Sequence, residues 1–106
     1  ATSNGSVELY HNGSKKFETT SSGVTATGQI KSYNALPMAD NTYDLGSTSL
    51  RWRDLYTGDI NLSNEGRSND VDGTWGNFTI QEGEDDLFLI NKRNGKKYKF
   101  NLTEVS

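Results

Sequence analysis

Residues 78–102 read FTIQEGEDDLFLINKRNGKKYKFNL, and this stretch decides the fold. Phe78-Thr79-Ile80 is β-prone, Glu82 to Asp86 is a charged turn, and Leu87 to Asn91 is a second strand. Asn94-Gly95 marks another turn, after which Lys97 to Leu102 forms a third strand. A two-residue Asn-Gly loop pairs Leu89 with Phe100, Leu87 with Leu102 and Asn91 with Tyr98. Leu87, Leu89, Tyr98, Phe100 and Leu102 then share one face, and Phe88 and Ile90 take the other. A three-stranded meander cannot cover itself on two sides. The pattern predicts an all-β chain that associates with copies of itself.

Working outward, Val7 and Leu9 alternate with polar neighbours ahead of Asn12-Gly13. A two-residue loop there sets Leu9 against Lys16 and leaves Phe17 on the wrong face. A three-residue loop, His11 to Gly13, sets Val7 against Phe17 and gathers the apolar side chains, so it is the expected turn. Ser21-Ser22-Gly23 turns the chain again, and Val24 to Ile30 makes a third strand. Residues 31–46 hold Pro37, Asp40-Asn41 and Gly46 and read as irregular chain, with a short strand near Tyr43 to Leu45. Trp52, Leu55 and Tyr56 sit at helical spacing, which allows at most one short helix near 49–56. The segments are a linker over 1–6, a hairpin unit over 7–30, a central segment over 31–63, and a loop and meander over 64–106.

Composition agrees with a thin core. Leu, Ile, Val and Phe supply 21 of 106 residues, whereas Gly, Asn, Ser and Thr supply 11 each. So few aliphatics would suggest disorder at high net charge, but the charge is only -3, and five Tyr and two Trp add large rings. No apolar run is long enough to span a bilayer, so membrane insertion is not expected. The acidic balance argues against nucleic acid as a partner. With no cysteine, thiol catalysis, disulfide scaffolds and zinc ribbons are excluded. Ala1 in place of an initiator Met is expected of a fragment or a processed product.

The chain offers no catalytic set, so it reads as a non-enzyme without cofactors. Its one histidine, His11, falls on a hairpin tip, and no Gly-x-Ser-x-Gly elbow exists. Gly95-Lys96 lacks the upstream glycine of a phosphate loop. Asp70-x-Asp72-Gly73 has the spacing of a calcium loop, but Ser68 and Thr79 then fall where the first and last ligands belong. An Asp-Gly turn is the simpler reading, and no metal site is expected. The acids Glu82, Glu84, Asp85 and Asp86 are expected to face Lys92, Arg93, Lys96, Lys97 and Lys99 across the meander or in a neighbouring subunit. Trp75, between Gly73 and Gly76 in a polar loop, is the most site-like residue. Its ring can stack on a sugar and Asn77 can add polar contacts; the competing reading folds it onto the sheet or into a subunit seam. Sequons at Asn4, Asn12, Asn61, Asn77 and Asn101 are what a chain rich in Asn, Ser and Thr produces by chance.

Residues 40–56, DNTYDLGSTSLRWRDLY, resemble a motif of bacteriophage tail fibres and related virion appendages, D-N-x-Y-D-L-G-S-x-S-x-R-W-[KR]-x-[LIV]-Y. Leu9 to Gly28 and Ile80 to Phe88 are similar to structural proteins of marine tailed phages. The resemblance implies short antiparallel hairpins and a meander in an intertwined homotrimeric fibre. It implies a virion location, other virion proteins as partners, and host attachment through a surface glycan. A capsid-surface decoration or head fibre is the alternative role. A polysaccharide depolymerase is the less favoured one, because such enzymes are built on a longer β-helix. Leu45, Trp52, Leu55 and Tyr56 form the expected structural core of the motif, with Arg51 and Arg53 available to pair with Asp44 or Asp54.

Overall fold

The computed structural model describes residues 5–106. Residues 1–4 of the expected linker, with the Asn4 sequon, lie outside the described residues. The chain divides between Leu45 and Gly46 into two compact units. Every regular element is a β-strand: β1 (Glu8–His11), β2 (Ser14–Thr20), β3 (Gly23–Ala26), β4 (Ile60–Ser63), β5 (Asn77–Glu82), β6 (Leu87–Asn91) and β7 (Lys97–Lys99). They form two antiparallel sheets, β1-β2-β3 in the first unit and β4-β5-β6-β7 in the second. The all-β expectation holds.

The first hairpin gathers its apolar side chains by a route other than the expected three-residue loop. His11 pairs with Ser14, and Asn12 and Gly13 take φ of 48° and 77°, the left-handed pair of a two-residue type I′ turn. Lys16 is then left over as a bulge, so that Leu9, not Val7, faces Phe17. The bulge restores the parity that the tight turn would have broken. Phe17 pairs onward with Ala26, and Thr19 with Val24. Val7 is tied to Thr19 by a bond from Thr19 N to its carbonyl, 3.0 Å, and donates its own N–H to Thr19 Oγ1, 2.8 Å. Val7, Leu9, Phe17 and Val24 thus share one face. The third strand ends at Ala26, short of the expected Ile30.

In the second sheet the facing sets are as expected and the register is not. Leu89 pairs with Tyr98 and Phe88 with Lys99, two residues away from the expected Leu89–Phe100 pairing. The shift keeps Leu87, Leu89, Tyr98 and Phe100 on one side, because a slip of two preserves the pleat. Its cause is the turn. Asn91 N donates to Lys96 O and Gly95 N to Asn91 O, both 2.8 Å, which closes a four-residue loop in place of the two-residue one. Ile60 and Leu62 on β4, and Phe78 and Ile80 on β5, extend the same apolar face. The opposite face carries Asn61, Thr79, Gln81, Phe88, Ile90, Lys97 and Lys99.

Residues 27–59 form no regular element; the expected strand near Tyr43 to Leu45 does not form, and 49–56 is not helical. Three apolar residues within five positions do not repay the cost of nucleating an isolated turn of helix. Instead Ser47 closes a tight turn: its N–H donates to Leu50 O and its Oγ accepts from Leu50 N, both 3.0 Å. Gly46 adopts φ 82°, and a Cβ there would meet Leu50 O at 3.2 Å and the Trp52 ring at 3.5 Å. Trp52 is 69% exposed and Tyr56 90%, and Leu45 and Leu55 are also exposed, so one copy of the chain does not enclose the motif residues. Arg53 reaches its neighbour Asp54 at 3.2 Å.

Neither sheet is covered. No apolar side chain is buried among the described residues. The accessible surface is 10265 Å², where a globular monomer of this mass would expose about 5,900 Å². Dividing the same mass between two separate globules raises the expectation only to roughly 7,000 Å². Among the described residues, no helix is long and apolar enough to cross a membrane.

Candidate functional site

The loop joining β4 to β5 carries Trp75, and its own side chains tie it down. At its base, Asn64 Oδ1 accepts from Gly76 N at 2.7 Å, while Asn64 N donates to Gly76 O at 3.3 Å. At its tip, Asn69 Oδ1 accepts from Val71 N at 2.8 Å and Asp72 N at 2.9 Å. Asn69 N and Nδ2 both donate to Thr74 O at 2.9 Å. Asp72 Oδ1 accepts from Asn69 Nδ2, Thr74 N and Thr74 Oγ1 at 2.8, 3.1 and 2.7 Å. Bonds to the ionised form, first from the Thr74 hydroxyl and then from the Asn69 amide, hold the Asp72 carboxyl below the usual carboxylate range. Asp70-x-Asp72-Gly73 is therefore a turn in which Asp72 serves backbone and side-chain donors, with Gly73 at φ 73°.

Strand pairing then brings the β6–β7 turn beside Trp75. Phe78 pairs with Asn91, and Lys92 N donates to Asn77 O at 2.8 Å. Arg93 stacks on the indole with its guanidinium carbon 3.7 Å from the ring centroid, and its Nη1 donates to Trp75 O at 2.9 Å. A guanidinium over an indole ring is a cation–π contact, favourable even at a surface. Trp75 is half-buried as a result. Gly76 leaves space for Phe78: an added Cβ would stand 2.9 Å from the Phe78 ring.

Together these groups frame an open cleft of about 850 Å³. Leu62, Phe78 and Trp75 supply its apolar surface, and Asn64, Asn69, Asp72, Thr74, Asn91, Arg93 and Asn94 its polar one. The volume falls within the range of small-ligand sites. Of the two residues singled out from sequence, Trp75 lines the cleft and Asn77 does not; Asn77 sits on β5 opposite Ser63. Sequence reading missed Arg93 and the asparagines. Asn91 and Asn94 sit at Asx-turn offsets from Arg93 and Lys96, a pattern that signals their capping role.

Comparison with family models, with curated proteins and with solved structures finds no match to this chain.

Within one chain the acids do not face Lys92, Arg93 and Lys96 across the meander. Glu82, Glu84, Asp85 and Asp86 cluster at the β5–β6 turn, while Lys92, Arg93 and Lys96 cluster at the β6–β7 turn. These turns lie at opposite ends of β6, roughly 17 Å apart for a five-residue strand. The ion pairs Lys15–Glu18 and Arg53–Asp54 involve neither cluster. The two turns thus differ in charge, although Lys99, opposite Phe88, lies toward the acidic turn, and Glu65, Asp70 and Asp72 on the Trp75 loop offset part of the positive charge at the cleft end. His11 is exposed, with Asn12 Nδ2 3.4 Å from its ring Nε2. Among the described residues no cluster of His, Cys, Asp and Glu is arranged to hold a metal ion.

Proposed function

We propose that this chain is a segment of a phage virion appendage, a distal tail fibre in its simplest form, that assembles as a homotrimer and serves host attachment. The observation that carries the reading is the absence of any buried apolar side chain among the described residues, in a chain that nonetheless forms two regular sheets. Such sheets need a cover. The rung Ile60–Ile80–Leu89–Tyr98 and the adjoining Leu87 present an apolar face with nothing over it, while Leu62 and Phe78 at its other end belong to the cleft beside Trp75. Against two separate globules the surface in excess is roughly 3,200 Å² per chain, the scale that obligate assemblies bury. The resemblance of residues 40–56 to the appendage motif supports the same reading and supplies its biological setting. Exposed Trp52 and Tyr56 in that motif are side chains of the kind that intersubunit packing covers.

Mass measurement in solution tests the assembly. The expected mass is three times 11.7 kDa, independent of dilution through the micromolar range. A stably folded species of 11.7 kDa would refute it. Immunogold labelling of virions tests the location, with label expected at the tail tip; label over the capsid would assign the decoration role instead.

A further inference from the structure

We propose that the Trp75–Arg93 cleft binds carboxylate-bearing saccharides, with the indole as the stacking surface and the Arg93 guanidinium as the fork that takes the carboxylate. The proposal rests on the attachment reading only for the ligand's place on a cell surface; the chemistry comes from the cleft itself. Arg93 has no carboxylate partner among the described residues, although the chain carries more acids than bases. It is held over the Trp75 ring and anchored to the Trp75 carbonyl through Nη1. A guanidinium fixed in place loses little freedom when it grips a planar carboxylate with two parallel bonds.

The polar wall points to the same class of ligand. Asn64, Asn91 and Asn94 each spend the side-chain oxygen on a backbone N–H, those of Gly76, Arg93 and Lys96. A backbone N–H can only donate, so the oxygen end of each amide is fixed and its NH₂ remains to donate elsewhere. On the acceptor side, Asp72 Oδ1 already takes three bonds, and Asn69 Oδ1 takes two. The wall thus sets three amide NH₂ groups and the Arg93 fork against one carboxylate oxygen, Asp72 Oδ2, that takes none of these bonds. That balance suits a ligand carrying hydroxyls to donate as well as ring, hydroxyl and carboxylate oxygens to accept. Arg93 takes one face of the indole, and the rest of Trp75 with Leu62 and Phe78 leaves an apolar surface that favours a sugar over an acidic peptide, because a pyranose ring presents a flat C–H face to it. The basic β6–β7 turn places Lys92 and Lys96 next to Arg93, so the Arg93 side of the cleft attracts an anion while Asp72 on the opposite loop works against it.

The test is calorimetric titration of the intact chain with hexagalacturonate, its fully methyl-esterified form and a short poly-glutamate peptide. Hexagalacturonate is expected to bind about tenfold or more tightly than its ester, the scale of a hydrogen-bonded charge. Arg93→Gln is expected to erase that preference and Arg93→Lys to keep only part of it, both at unchanged assembly mass and with the melting temperature lowered by no more than the loss of one surface cation–π contact brings. Equal binding of acid and ester, or an unaltered preference in Arg93→Gln, overturns the proposal. Poly-glutamate binding as tightly as hexagalacturonate replaces it with a general anion patch. Loss of assembly in Trp75→Ala places the cleft in a subunit seam and also overturns it. Mass is read on the same samples, so the two readings separate. A trimer that adsorbs to cells but ignores hexagalacturonate refutes this site alone, whereas a monomer that binds it refutes the trimeric appendage and leaves the site standing.

Discussion

Thr79 donates its hydroxyl to Asn61 Oδ1 at 2.7 Å across the β4–β5 pair, and at 2% exposure Thr79 is the one buried side chain among the described residues. The best-enclosed point of the sheet is thus a polar contact. Thr79→Val keeps the shape and removes the donor, so Asn61 loses its partner while solvent recovers part of the loss. The expected cost is about 1 kcal/mol, read as a lower urea midpoint at unchanged slope. Asn61→Ala should cost a similar amount, and the double variant no more than the worse single one, because both remove the same bond.

Gly83 is required for a steric reason. A Cβ at this position would lie 2.6 Å from the Phe88 ring edge, and Gly83 N also donates to Asp86 O at 2.8 Å to close the β5–β6 turn. Gly83→Ala must swing the half-exposed Phe88 ring off its place on the sheet, at an expected cost of about 0.5 to 1.5 kcal/mol. The double variant Gly83→Ala with Phe88→Leu should recover much of that loss in thermal melts. No recovery would locate the strain in the turn rather than in the ring contact.

The strands of the second sheet were legible because apolar alternation and turn residues agreed from Phe78 to Tyr98. Register was less legible, and both errors arose at Asn-Gly. In the first hairpin the tight turn formed and the chain corrected parity with a bulge at Lys16, which no local residue type announces. In the last hairpin, side chains chose the loop: Asn91 Oδ1 accepts from Arg93 N and Asn94 Oδ1 from Lys96 N, which stabilises four loop residues over two. Trp75 stood out in the sequence as an aromatic among small polar residues. Arg93 did not, because its place beside Trp75 follows from the β5–β6 register, which brings together two loop residues at opposite ends of that hairpin's sequence.

Acid should loosen the Trp75 loop. The folded-state pKa of Asp72 is depressed, so its bonds contribute above the unfolded carboxylate value and are lost as pH falls through the folded one. Trp75 fluorescence is therefore expected to be constant above about pH 5 and to change below about pH 4. Asp72→Asn keeps an acceptor oxygen for Thr74 without a titrating group, and the acid transition should flatten in it. A transition of the same midpoint in that variant would assign the effect to another carboxyl.

Trp52 separates the assembled state from the isolated chain most cleanly. At 69% exposure in one copy, truncation to alanine would change a monomer's stability by only about 0.5 kcal/mol. If copies of the chain enclose the indole, the same truncation removes a large buried ring and costs about 3 to 5 kcal/mol. The expected outcome for Trp52→Ala is the larger one, seen as a lower melting temperature and as dissociation on dilution where the wild type stays assembled. Val71→Ala is the matched control, because Val71 is 96% exposed at the tip of the Trp75 loop and should change neither reading. Equal behaviour of the two variants would show that Trp52 faces solvent in solution as well, and the seam between copies would then have to run through the apolar face of the β4–β7 sheet without the motif.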